Sequence, residues 1–385
     1  MNILHLSHTP LVGAPGRLCK AMNTLPGHSA RWGVLKPENY GGLSFPLDLV
    51  WERDRDEIIA LARDADVLHL HNYIGLDTQD FAPLDFSRFR QEGRPMVRHL
   101  HSTPALIARF AGQSEADVLA CPIPKLVIAQ YPERFYPCAR IVPNLVDIPD
   151  TPPQVRSGAL TIGYAPSNYR NARSSRWDTK GYRETDKLIR HACGELKRAG
   201  QDVIYDLIVE TPHEACMVRK SRCDIFIDDL VTGSYHLNTL ESLALGCATL
   251  TFIDHRITHV LTGLLGDQRF PVVNTRLEEL PAVLDHLARH PELTREIGRA
   301  SHLWMREHWD APRLLDRFID SYRQVITHPG QPFDRRFDDS MFEDFMARGL
   351  DDLVWQQRRA LWPPELPDWI VNLKSTARKT LDRFR

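Results

Sequence analysis

The chain has 385 residues, 43% of them hydrophobic and 25% charged, with a formal net charge of −2. That length exceeds one usual core and points to two domains, while the charge balance gives no case for a nucleic-acid partner, so any anion affinity must be local. Seven scattered cysteines without a C-x-x-C pair argue against a disulfide framework and against a zinc module.

The opening Met-Asn-Ile-Leu-His-Leu-Ser reads as a strand rather than a signal peptide. No apolar run approaches the roughly 20 residues of a membrane span, and a reduced, cytoplasmic location is the expectation. Short apolar runs of strand length fall at 3–7, 67–71, 96–101 and 126–129, with helical spacing at 53–63 and 103–110. A link with four prolines, 143–154, disfavours helix and sheet and puts a domain boundary near 150. Beyond it, strands at 160–165, 204–209, 224–227 and 248–252 alternate with helices at 182–199, 213–222 and 237–245. Continuous apolar strands between helices predict an α/β fold with parallel sheets covered on both faces. Two doubly wound, Rossmann-like domains follow, 1–150 and 151–330, facing across a cleft with ligands off the carboxyl ends of their strands. Helices at 291–307, 312–326 and 338–361 come next, the last in a helical extension, 331–385. Its end, 369–385, is amphipathic and carries Lys374, Arg378, Lys379, Arg383 and Arg385. It reads first as a solvated surface helix, with peripheral contact to an anionic membrane as the second reading.

The most informative stretch is Gly233-Ser-Tyr-His-Leu-Asn-Thr-Leu-Glu241-Ser-Leu-Ala-Leu-Gly246, a glycine loop, a short helix and a closing glycine. Such a loop aims backbone N–H groups and a helix dipole at one spot, which suits a phosphate. Glu241, about one turn in, is placed to reach a ribose diol, and Tyr235, His236, Leu237, Asn238 and Thr239 are the accompanying donor-side candidates. An ordinary loop–helix–strand unit with a solvated glutamate is the plain alternative. The stretch 167–180 carries Arg170, Arg173, Arg176 and Lys180 against one carboxylate, Asp178. Arginine forks and a lysine point charge suit diphosphate oxygens, and Ser167 and Asn168 join that candidate set. Gly13 either lets backbone approach the phosphates or is a simple turn glycine.

His69/His71 and His99/His101 are i, i+2 pairs that share a face of their strands. Two such pairs on neighbouring strands could assemble a metal site. No carboxylate motif accompanies them, and no D-x-D follows a strand, so no metal is assigned.

With these residues in place, the chain resembles GT-B glycosyltransferases, specifically the large retaining family four. Met1-Asn-Ile-Leu-His-Leu-Ser with Leu11-Val-Gly-Ala resembles that family's first strand and glycine loop. Asp66-Val-Leu-His-Leu-His71 and Val97-Arg-His-Leu-His101 look like its paired histidine strand ends. Arg140-Ile-Val-Pro-Asn-Leu-Val-Asp147 is similar to its interdomain segment, with Leu145 in place of a glycine. Asp178-Thr-Lys-Gly181 resembles its lysine–glycine pair before a helix, and 291–326 its closing helices, ending in Tyr322-Arg323. The resemblance runs from residue 1 to about 327. It implies retaining, metal-independent transfer from a nucleoside-diphosphate sugar, with no cofactor, to a glycan, lipid-linked or small-molecule acceptor. It implies catalytic parts for His101, Lys180 and Glu241, and an acceptor-side place for His71 and His101. Gly233 stands where the family commonly has a first glutamate, eight positions before Glu241, and Asn168 where it often has an arginine. Two alternatives remain at this point: a nucleotide-sugar epimerase of the same fold, and a catalytically silent relative that binds nucleotide or serves as a scaffold.

Overall fold

The computed structural model describes residues 1–37, 45–136, 138–150, 158–166, 180–266 and 269–333. The first sheet has seven parallel strands: β1 (Asn2–Ser7), β2 (Ser29–Val34), β3 (Leu49–Val50), β4 (Val67–His71), β5 (Met96–Leu100), β6 (Lys125–Ile128) and β7 (Arg140–Val142). They lie side by side in the order β3-β2-β1-β4-β5-β6-β7. Helices α1 (Ala14–Met22), α2 (Trp51–Asp64), α3 (Phe86–Gln91), α4 (Pro104–Ala111) and α5 (Glu115–Ala120) connect them. Every residue of β4 and β5 is buried, as strands covered on both faces require.

The second sheet has five parallel strands, β8 (Leu160–Tyr164), β9 (Val203–Leu207), β10 (Ile225–Ile227), β11 (Ala248–Thr251) and β12 (Val273–Asn274), in the order β12-β11-β10-β8-β9. Its helices are α6 (Tyr182–Arg198), α7 (His213–Lys220), α8 (Leu237–Ala244), α9 (His255–Leu265) and α10 (Leu280–Arg289). The strand order reverses between β1 and β4 in one sheet and between β8 and β10 in the other, which are the points where doubly wound sheets take ligands. The fold is thus the expected α/β pair of parallel sheets with helices closing the chain.

Those closing helices are α11 (Pro291–His308) and α12 (Ala311–Thr327). Helix α11 lies against the carboxyl end of α8, where His302 Nδ1 hydrogen-bonds Ala244 O at 2.7 Å. Its Gly298 is so close that a Cβ there would sit 2.2 Å from Gly246 O. Helix α12 crosses back to the first sheet: Tyr322 Oη meets His69 Nδ1 at 2.8 Å, and Arg140 on β7 donates to Ser321 Oγ and Gln324 Oε1 at 3.0 and 2.7 Å. One apolar cluster accordingly runs from Ile3, Val67 and Val97 through Phe318 and Tyr322 to Leu240 and Ile257. Among the described residues, no helix is long and apolar enough to cross a membrane. The helices expected at 338–361 and 369–385 lie outside the described residues.

Candidate functional site

At the switch point of the second sheet, β10 runs into Asp228 and Asp229, both buried. Asp229 Oδ1 accepts from Val231 N and Thr232 N at 2.8 and 2.9 Å, and Oδ2 pairs with His236 Nε2 at 2.9 Å and with Thr232 Oγ1. Burial pushes this carboxyl up, but the bond from His236 and its charge, with Lys180 and Thr232, outweigh that and hold it below the ordinary range. Asp228 Oδ2 accepts from Thr239 Oγ1 at 2.5 Å and Thr239 N at 3.2 Å. The two aspartates therefore peg residues 230–236 and the start of α8, for which His236 is the N-cap. Among the described residues, no side chain takes the N–H groups of Leu237 and Asn238, the first two of α8. Tyr235 turns inward against Phe270 and Trp309, so its ring belongs to the core.

Glu241 is 4% exposed, one turn into α8. Its Oε1 lies 2.9 Å from His213 Nε2, and Oε2 pairs with Nζ of Lys220, which is itself 1% exposed. Lys220 also donates to Asn238 Oδ1 at 2.6 Å, and Asn238 Nδ2 donates to Ala165 O at 2.8 Å, tying α7 and α8 to the end of β8. Burial alone would raise the Glu241 pKa. The Lys220 charge, the bond from His213 and the more distant charge of Arg17 override it and hold the carboxyl at about 2. Burial likewise pulls on the Lys220 ammonium, yet Glu241 keeps its pKa above the usual lysine value. Glu241 is thus a fixed anion with both oxygens already oriented.

Lys180 takes the left-handed conformation, φ +50°, and the following Gly181, φ +69°, caps α6. A Cβ on Gly181 would lie 2.5 Å from Val231 Cγ2, so the approach to α6 and the Asp229-pegged loop are in contact. Ser167, Asn168, Arg170, Arg173 and Arg176 lie outside the described residues.

From the first sheet, the turn after β1 brings Gly13, φ +75°, against the Phe45 ring, which in turn lies 4.9 Å from the His213 ring. Helix α1 behind it supplies Arg17, whose Nη2 donates to Val12 O at 2.8 Å. Lys20 to Asp147, Arg134 to Asp254 and Arg256 to Glu133 add ion pairs, the last two between residues that follow β6 and the start of α9. Gly233, φ +72°, faces Asp254: a Cβ there would sit 2.8 Å from Asp254 Oδ2, so a carboxylate occupies the space beside the glycine.

At the carboxyl ends of β4 and β5, His71 Nδ1 lies 2.9 Å from His101 Nε2, and Asn72 Oδ1 accepts from His101 N at 2.6 Å. His101 is partly exposed, whereas His71 is fully buried. Burial drives the pKa of His101 down to about 3 and that of His71 well below the ordinary value, so both imidazoles are neutral near pH 7.

The structure therefore gathers His236, Leu237, Asn238, Thr239 and Glu241 with Lys180 at one switch point and His71 with His101 at the other, with Gly13 near Glu241's partner His213. The sequence reading had no place for Lys220, His213, Arg17 or His5. Lys220 sits in the last turn of a helix, where a cation ordinarily complements the dipole in solvent, so nothing in its neighbourhood in sequence signalled burial. His5 could have been found by noting that the centre of a third buried strand also carries a histidine.

No protein-family model matches the sequence, and no curated protein matches it. Solved structures do align. An alpha-glucosyltransferase in complex with UDP-glucose and DNA containing an abasic site covers 84% of this chain and 98% of its own, at 13% identity and a TM-score of 0.55. An alpha-glucosyltransferase in complex with UDP and a 13-mer DNA containing an HMU base covers 84% and 99%, at 13% identity and a TM-score of 0.50. A UDP-N-acetylglucosamine 2-epimerase structure covers 86% and 98%, at 13% identity and a TM-score of 0.42, too low to weigh transfer against epimerisation. At such identities the likeness establishes the fold alone, the two-sheet GT-B architecture.

Proposed function

We propose that the chain is a retaining, metal-independent glycosyltransferase related to family four, moving a sugar from a nucleoside-diphosphate donor to a glycan, lipid-linked or small-molecule acceptor. The observation that carries this reading is Glu241, a buried, ionised carboxylate fixed by Lys220 and His213 one turn into the helix at the switch point. A carboxylate so held loses little freedom when it accepts hydrogen bonds from a ribose diol. The N–H groups of Leu237 and Asn238, at the positive end of α8, suit the diphosphate. Departure of that diphosphate builds negative charge, which Lys180 and the helix end would oppose. His101, neutral at the carboxyl end of β5, is the group assigned to orient an acceptor or sugar hydroxyl.

Screening UDP, GDP and ADP by thermal unfolding tests the donor half, with UDP first because the aligned alpha-glucosyltransferases were seen with UDP or UDP-glucose. A bound nucleotide at 100 times its dissociation constant adds about 2.7 kcal/mol. Glu241→Ala should weaken that binding by roughly 1.5–3 kcal/mol, the worth of a hydrogen bond to a charged group. Equal affinity in wild type and variant would remove Glu241 from the donor site. Release of free nucleoside diphosphate that depends on an added acceptor separates transfer from epimerisation, which retains the nucleotide on the sugar, and from a silent relative, which releases none.

Lys180→Ala should lower kcat more than it raises the donor KM, because the charge it opposes grows only as the leaving group separates. Steady-state kinetics with an unchanged kcat would take Lys180 out of the reaction.

A further inference from the structure

Strands β1, β4 and β5 lie side by side and bring five imidazoles together: His5, His69, His71, His99 and His101. They form two hydrogen-bonded chains. In one, His5 Nδ1 meets His71 Nε2 at 3.1 Å and His71 Nδ1 meets His101 Nε2 at 2.9 Å. In the other, His99 Nδ1 meets His69 Nε2 at 3.1 Å and His69 Nδ1 meets Tyr322 Oη at 2.8 Å. A neutral imidazole has one N–H and one lone pair, so protons can run along each chain in either sense. Either sense leaves the terminal nitrogen over. Among the described residues, His5 Nε2 and His99 Nε2 are indeed buried without a partner. Hydrogen bonding alone does not satisfy this cluster.

A neutral imidazole ligates a metal through its lone pair. The nitrogens are also spaced for it. Ligands about 2.0–2.1 Å from a tetrahedral ion lie about 3.3 Å apart, and His71 Nδ1 and His101 Nε2 are 2.9 Å apart. Two trios bring one ligand atom each within 4.8 Å of the others: His5, His69 and His71, and His71, His99 and His101. His71 belongs to both, so one ion precludes the other. The first trio is wholly buried, whereas the second includes partly exposed His101 and so has an entry path. It also contains the unpartnered His99 Nε2.

We infer that His71, His99 and His101 form a binding site for one divalent transition-metal ion of the zinc, cobalt or nickel class. Imidazole suits these ions, and the absence of a carboxylate from the trio disfavours magnesium or calcium. Three protein ligands leave a fourth position open on the His101 side. The site shares His101 with the transfer reading but does not depend on it. If that reading holds, the ion competes with the acceptor for His101 and so inhibits.

The test is titration of the full-length protein with Co²⁺, read by visible d–d absorption. One ion per chain should saturate the bands. His99→Leu and, separately, His101→Asn should each weaken binding at least tenfold, and His5→Leu should change it less than threefold. Because His101 is partly exposed, its variant keeps the test open if His99→Leu does not fold. No bands at millimolar Co²⁺ overturns the site, and so does loss of binding in His5→Leu with retention in His101→Asn. Nucleotide stabilisation measured on the same samples reports on the donor site independently.

Discussion

Replacing Lys220 by methionine should lower the free energy of unfolding by about 3–5 kcal/mol, the cost of leaving a buried charge without its partner. Both members of the pair are almost fully enclosed, Lys220 at 1% and Glu241 at 4% exposed, so no solvent screens the orphaned carboxylate. Methionine nearly fills the volume but offers nothing to Glu241 Oε2 or to Asn238 Oδ1. His213 and the more distant charge of Arg17 then face the anion. The double variant Lys220→Met/Glu241→Leu should recover most of the loss, since replacing a buried ion pair with apolar groups is often neutral. Urea midpoints of the wild type, the two single variants and the double variant decide it. A single-variant loss below about 1 kcal/mol would mean that water reaches the pair, which is the usual worth of an exposed one. The double variant should also lose nucleotide stabilisation while keeping its fold, separating the pair's part in stability from its part in the site.

The second large effect is expected at Gly298. A Cβ there would meet Gly246 O at 2.2 Å and Gly246 C at 3.0 Å, both backbone atoms that no rotamer change can move aside. Gly298→Val should therefore cost about 3 kcal/mol, the upper end of ordinary overpacking. Relief requires α11 to back away from α8, which breaks the bond between His302 and Ala244 O. Gly194, within α6, is the control: a Cβ there meets nothing within 4 Å. Gly194→Ala should stabilise by about 0.5–1 kcal/mol, because it removes a helix-interior glycine without a clash. Opposite signs in the two thermal unfolding curves support the close approach. A stable Gly298→Val protein would refute it.

What could be read from the sequence divides along physical lines. Strands β1, β4 and β5 were legible because each is a mostly apolar run of strand length, as strands buried on both faces are, even with histidines interrupting it. Strand β2 carries Arg31, Trp32 and Gly33 and lacks that pattern, while β12 has two residues and no pattern to find. Helix α9, His-Arg-Ile-Thr-His-Val-Leu-Thr-Gly-Leu-Leu, is rich in β-branched residues with poor helix propensity. It forms because Asp254 caps it, accepting from Ile257 N at 2.9 Å, and because Ile257, Val260 and Leu261 pack into the core. In the candidate site, Glu241 and His101 were legible because each sits at a fixed offset from a strand or helix end. Lys220, Arg17 and His5 were not, since the site groups they act on, Glu241 for the first two and His71 for the third, lie 21 to 224 positions away in sequence.

The return of α12 to the first sheet constrains how such chains can recombine. In sequence it follows the whole second sheet; in space it covers β4 and β5, with Phe318 5.8 Å from the His99 ring and Tyr322 bonded to His69. A crossover placed between the two sheets would pass on a first half whose histidine face had evolved against a different helix. Exchange of the second sheet between chains of this fold should therefore succeed more readily with two junctions than with one, the second just ahead of Ala311, so that each first sheet keeps its own covering helix. The chain is sewn shut by its last described turns, and inheritance has to respect the seam.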